Sequence, residues 1–280
     1  MTAQAQEKTS RIGPDKQLIV ILPDDVVAAS RQAEVDAATD GRKTSAADVA
    51  DNVMQLLGMP SFDLLATAVK EAVKAYNRGR RGGLNVNQIS RSEAAALTLP
   101  PGHPREGVLY VRHPAKPDVY YTVASFHRMA FEHKFAEAIE LLMHLGANEI
   151  RVEHVEGWSR DFAAKLSVPL SAAATATVEA SAARGTMLLF EAKLRGHDEP
   201  RLPESLVWYH HEPTWQAYAK GRMEFGLAEF SLAINYEDDF GINAGLRLAS
   251  EKAGLELGGS FEDHVATTWK ISGKFGRSSG

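Results

Sequence analysis

The chain has 280 residues, and its 44% hydrophobic content gives it enough apolar material to bury a core without a disulfide or zinc staple. With 31 basic against 36 acidic residues the net charge is −5, so a nucleic-acid surface is not its expected business and no nucleic-acid partner is predicted. Zero cysteines exclude disulfides, thiolate metal ligands and a cysteine nucleophile.

The opening MTAQAQEKTSRIGPDKQ lacks the basic start and apolar core of a secretory leader, and residues 1–16 read as a polar, disordered tail. No stretch approaches the roughly 18 consecutive apolar residues of a membrane helix. The expectation is a chain that is cytoplasmic as synthesised and that would meet a bilayer only with strands.

LIVIL (Leu18 to Leu22) is a short buried strand closed by Pro23 and Asp24. Asp24 or Asp25 then caps a helix to about Thr39, Ser45 caps AADVADNVMQLL, and Ser61 caps FDLLATAVKEAVKAYNRG. In the last of these, Leu64, Leu65, Ala68, Val69, Ala72, Val73 and Tyr76 keep helical spacing, so residues 17–100 read as a mainly helical N-terminal region. RGRRGG (Arg78 to Gly83) reads as a basic connector suited to a helix C-terminus, with a phosphate or acidic-partner contact as the functional alternative. LPPGHPREG (Leu99 to Gly107) marks the expected boundary with an α+β region over 101–280.

Beyond it, VLYVRH and VYYTVA flank PAKPD as a hairpin. A helix from about Ser125 to Leu145 carries Phe131, Phe135, Ala138, Ile139, Leu142 and Leu145 on its apolar stripe, and EIRVEHV follows as a strand. From Arg222 the alternation is sustained through Phe230 to Tyr236, Phe240 to Leu248, Leu255 to Phe261 and Trp269 to Phe275, which predicts an antiparallel meander. The fold class is therefore α+β: a helical N-terminal region, a hairpin-helix-strand unit and a C-terminal antiparallel β-sheet with long amphipathic strands.

The stretch from Ser167 to Leu194 reads two ways. As a helix it has a capping Ser171, abundant Ala and a terminal Gly185, but almost no bulky stripe. As strand, Leu166, Val168, Leu170 and Val178 share one face with intervening alanines, Ala183 to Gly185 turn the chain, and Phe190 and Leu194 resume the pattern. At about 3.3 Å per residue that strand would reach about 55 Å, beyond what a tilted bilayer crossing needs. The strand reading is preferred, and its apolar face is the candidate membrane or interface surface.

Two constellations could carry chemistry. His133, Glu137, Glu140 and His144 fall within about 60° of one another on a helix face, a spacing that could chelate a divalent metal or simply form a solvated polar face. Trp208, His210, His211 and Trp215 could line a pocket, or the two tryptophans could plug the space between sheet and helix, with the histidines on opposite sides if the segment is extended. No nucleophile elbow, zinc-protease, phosphate-loop or dinucleotide motif is present, and apart from that metal no cofactor is expected.

The leading expectation is a non-enzymatic protein that acts by self-association or membrane engagement, as a pore-forming effector or toxin-like protein does with amphipathic strands. The alternative is a soluble protein-binding or scaffold module with a static sheet. A metal-assisted hydrolase built on the His133 helix comes third.

Overall fold

Five consecutive apolar residues have no polar face to give to water, and LIVIL forms strand β1 (Leu18–Leu22) with every residue buried. In the computed structural model, which describes residues 17–40, 50, 51, 53, 55, 64–158 and 188–276, the elements α1 (Asp24–Asp40), α2 (Leu64–Arg81), β2 (Val86–Ser90) and α3 (Arg91–Ala94) follow it. Next come β3 (Leu109–Arg112), β4 (Tyr120–Thr122), α4 (Phe126–His144), β5 (Ala147–Glu156) and β6 (Leu188–Lys193). The chain ends with α5 (Pro213–Phe225), β7 (Glu229–Tyr236), α6 (Ala244–Ala253) and β8 (Thr267–Phe275). These are the helices and antiparallel-rich sheets of an α+β protein. Contacts divide the chain into two compact units, Met1–His127 with Phe240–Asp263, and Arg128–Asp239 with His264–Gly280.

The first unit holds a four-stranded sheet in the order β2-β1-β3-β4. β1 runs parallel to β2, with Leu18 opposite Val86, and antiparallel to β3, with Leu18 opposite Val111. A parallel pair requires a crossover, and the chain that carries α1 and α2 supplies it. β3 and β4 form the expected hairpin. Its turn is held by buried His113, whose Nδ1 accepts the N–H groups of Ala115 and Lys116, both at 3.0 Å. The proline-rich stretch ahead of β3 is pinned by Tyr110, whose hydroxyl accepts the Arg105 N–H at 2.8 Å and shares a 2.7 Å hydrogen bond with His103 Nδ1.

The second unit is an antiparallel sheet in the order β6-β5-β8-β7. β7 alternates strictly, with Phe230, Leu232, Ile234 and Tyr236 buried and the residues between them exposed. Across from it, Gly273 of β8 leaves room for the Phe230 ring, which any Cβ there would strike. α4 lies on this sheet through Phe131 and Phe135, whose rings meet Trp269 edge-on at centroid distances of 4.8 and 5.2 Å. Arg222 of α5, only 4% exposed, donates from Nε to Leu145 O, from Nη1 to Leu227 O and from Nη2 to Gly276 O at 3.0–3.1 Å, and sits over the Phe275 ring. No helix among the described residues is long and apolar enough to cross a membrane.

Two expected strands are corrected. Residues Phe240 to Leu248 are not a strand of the meander: Asn243 accepts the N–H groups of Gly245 and Leu246 and starts α6, which ends at left-handed Gly254. Leu246, Ser250 and Ala253 are buried at helical spacing while Leu248 is 49% exposed, the reverse of the strand pattern. The chain around Leu255 and Leu257 makes no strand either, only a bridge between Glu256 and Val108, so the C-terminal sheet is completed by β5 and β6. The segment around Trp208 and Trp215 is not extended: a 3-10 turn at Tyr209–His211 leads into α5, with Pro213 at its start and left-handed Gly226 at its end. Residues 1–16, Leu166, Val168, Leu170 and Val178 lie outside the described residues, and of AADVADNVMQLL residues 50, 51, 53 and 55 are helical.

Two predictions follow from this packing. Replacing Arg222 by Leu strips one buried and two partly buried carbonyls of their donor and is expected to cost about 3–5 kcal/mol in denaturant unfolding, with Arg222→Lys intermediate. His103 is held below its ordinary 6.5 by partial burial and, to a lesser extent, by the charge of Arg105. The unfolded chain therefore binds that proton more readily, and the contribution is whole above pH 6.5 and lost as the pH falls through the folded value. The thermal midpoint should fall on acidification from about pH 7 to pH 5, less steeply in His103→Gln.

Candidate functional sites

The polar face of α4 meets the segment before α5. Glu137, 4% exposed, accepts the Val207 N–H on Oε2 at 2.9 Å and the Tyr209 N–H on Oε1 at 2.8 Å. His133 Nδ1 accepts the indole N–H of Trp208 at 2.8 Å, which makes Nδ1 the unprotonated nitrogen in this arrangement. Glu140 accepts from the Ser205 hydroxyl at 3.0 Å. Buried Lys134 pairs with Glu212, donates to Asn235 O at 2.7 Å and lies 5.4 Å from the centre of the Trp208 ring. One helix face thus holds the turn Tyr209–His211 by its backbone and by its tryptophan.

This places the sequence-derived candidates. His133, Glu137 and Glu140 are brought together by α4 and turned toward the docked segment, while half-buried His144 is the last residue of α4 and receives Arg201 N–H on its backbone oxygen at 3.0 Å. No group of three or more His, Asp or Glu side chains is arranged to hold a metal among the described residues. Trp208 and Trp215 are buried, whereas His210 and His211 face solvent. Phe190 is buried in β6, and Leu194, just beyond that strand, is 36% exposed.

The first unit has a cleft that the sequence does not announce. It has a volume of about 420 Å³ and is lined by four separated stretches of chain: Leu22 and Pro23; Glu71, Ala72, Ala75 and Arg78; Glu106 and Gly107; Gly254 and Glu256. Leu22 and Pro23 put it outside the carboxyl end of β1, a strand with a parallel neighbour on one side and an antiparallel one on the other. Crevices at such ends are where open α/β sheets commonly take ligands. Backbone bonds fix its rim: Gly107 N–H to Ile21 O at 3.1 Å, Glu256 N–H to Gly107 O at 3.2 Å and Leu109 N–H to Glu256 O at 2.8 Å.

Arg78, expected in a connector, stands inside α2, and its Nε donates to Ala253 O at 2.9 Å. Gly254, at φ +82, lets the guanidinium lie close, since a Cβ there would come within 3.0 Å of Nη2. Glu71 is bound by Lys74 at 2.8 Å, and that hydrogen bond, helped by the charges of Lys74, Arg78 and Lys70 against a smaller effect of burial, keeps its carboxyl below the usual range. Glu106 pairs with Arg91 at 3.5 Å. Among the described residues, Glu256 has no side-chain partner.

If Glu137 holds the docked turn, Glu137→Ala leaves two N–H groups without an acceptor and should lower stability by about 2–4 kcal/mol, with Glu137→Gln less affected. Urea unfolding followed by tryptophan fluorescence reads this, and a loss under about 1 kcal/mol contradicts the docking role.

Set against known proteins, the chain matches no family model, no curated protein and no solved structure.

Proposed function

We propose that this protein is a non-catalytic binding module that takes a small polar ligand in the cleft at the carboxyl end of β1. The observation that carries the reading is Arg78, a guanidinium anchored by one nitrogen to a backbone carbonyl and lining a cleft of about 420 Å³. That volume lies in the lower part of the roughly 300–1,000 Å³ range of small-molecule sites. Glu137, His133 and Lys134 of α4 support the same reading, because Glu137 and His133 bind the segment that carries Trp208 and Lys134 is shared between Glu212 and Asn235 O.

Thermal unfolding in the presence of anionic, cationic, zwitterionic and neutral small molecules tests it. A ligand at 100 times its Kd should stabilise the fold by about 2.7 kcal/mol, and that gain should vanish in the Arg78→Ala/Glu256→Ala double variant. Equal midpoints with every class of compound contradict the reading.

A second reading, self-association or membrane engagement by amphipathic strands, draws support from β6, a strand that carries buried Phe190 at the end of the alternating stretch. It predicts dye release from liposomes that Val178→Asp abolishes while the fold survives by circular dichroism. No release with any lipid composition or pH removes it.

A further inference from the structure

The charges around the cleft do not add up to a site for a simple cation or a simple anion. Lys74 occupies Glu71, and Arg91 occupies Glu106. Among the described residues, what remains is one group of each sign: the outer nitrogens of Arg78, whose only hydrogen bond is the one from Nε to Ala253 O, and the carboxylate of Glu256. Leu22, Pro23, Ala72 and Ala75 give the same cleft an apolar wall.

Resting on the reading of this cleft as a binding site, we infer that its ligand is a free amino acid with an apolar side chain, its carboxylate held by Arg78 and its ammonium by Glu256. A planar guanidinium offers a fork that matches a carboxylate, and Arg78 is already oriented by its Nε bond and by Gly254, so little side-chain freedom is lost when the ligand arrives. A ligand with only a negative charge leaves the carboxylate of Glu256 without a partner and close to its own charge. One with only a positive charge leaves the fork of Arg78 unfilled. A neutral one pairs neither charged group. The volume of about 420 Å³ favours a single residue over a long peptide.

The test uses the full chain and four compounds with one side chain: leucine, leucinamide, N-acetylleucine and N-acetylleucinamide, titrated by calorimetry. Leucine should bind at least tenfold more tightly than each of the other three. Glu256→Gln, a change at an exposed position, should erase the advantage of leucine over N-acetylleucine and keep its advantage over leucinamide; Arg78→Gln should do the converse. Circular dichroism of both variants establishes that they fold. Equal affinity for leucine and leucinamide, or an unchanged preference in Glu256→Gln, overturns the inference. If none of the four binds while another class of compound stabilises the wild type and not the Arg78/Glu256 double variant, this inference fails and the binding reading stands. If no compound of any class binds, both fail.

Discussion

A charge taken out of water has to find partners inside the protein, and in the second unit that demand is met largely by the backbone. Arg222 gives its guanidinium to three carbonyls, Glu137 gives each carboxylate oxygen to one N–H, and Lys134 divides its ammonium between Asn235 O and Glu212. Left unmatched, any of these groups would cost several kcal/mol, comparable with the whole margin by which a domain is stable. Matched, they tie together segments distant in sequence: the end of α4, the start of β7 and the end of β8 through Arg222, and the turn before α5 through Glu137. Side chains with the chemistry of ligands or general bases are here fasteners.

The first unit is organised around a strand with no polar face. β1 is buried along its length, and the chain must leave it at Pro23, where the sheet stops and α2, the stretch before β3 and the residues after α6 come round the open end. The cleft is a consequence of that arrangement. Its apolar wall comes from the strand end and from small residues of α2, while its charged groups come from the rim, where water and a ligand can both reach them. Of the charged groups on that rim, Arg78 is oriented in advance by its bond to Ala253 O, which reduces the ordering a ligand would require.

Much of the fold was legible because its periodicities are strong and local. LIVIL, the two helices α1 and α2, the hairpin, α4 and the alternation of β7 all follow from spacing and end signals. The stretch from Ile242 to Leu248 was misleading because Ile242, Ala244, Leu246 and Leu248 alternate as a strand would, while the burial that decides the matter, Leu246 with Ser250 and Ala253, depends on what α6 packs against. Asn243 and Gly254 were the available signals, a cap and a left-handed terminus. β2 escaped notice because Asn87, Gln88 and Ser90 hide a strand that is largely buried. The shared helix face of His133, Glu137 and Glu140 was readable; that its partners would be backbone N–H groups and an indole was not, because an amide carries no mark in the sequence. The cleft was hidden for a related reason: its lining is assembled from stretches as far apart as Leu22 and Glu256.

The claim that joins these observations is that recognition belongs to the β1 cleft and that the α4 face is structural. Backbone amide chemical shifts recorded while leucine is titrated into the labelled protein test both halves at once. The account predicts that the perturbed amides are those of Leu22, Ala72, Ala75, Arg78, Gly107, Gly254 and Glu256, with His133, Val207, Trp208 and Tyr209 unmoved. Perturbations centred on the turn around Trp208, or none at all at saturating leucine, would contradict it.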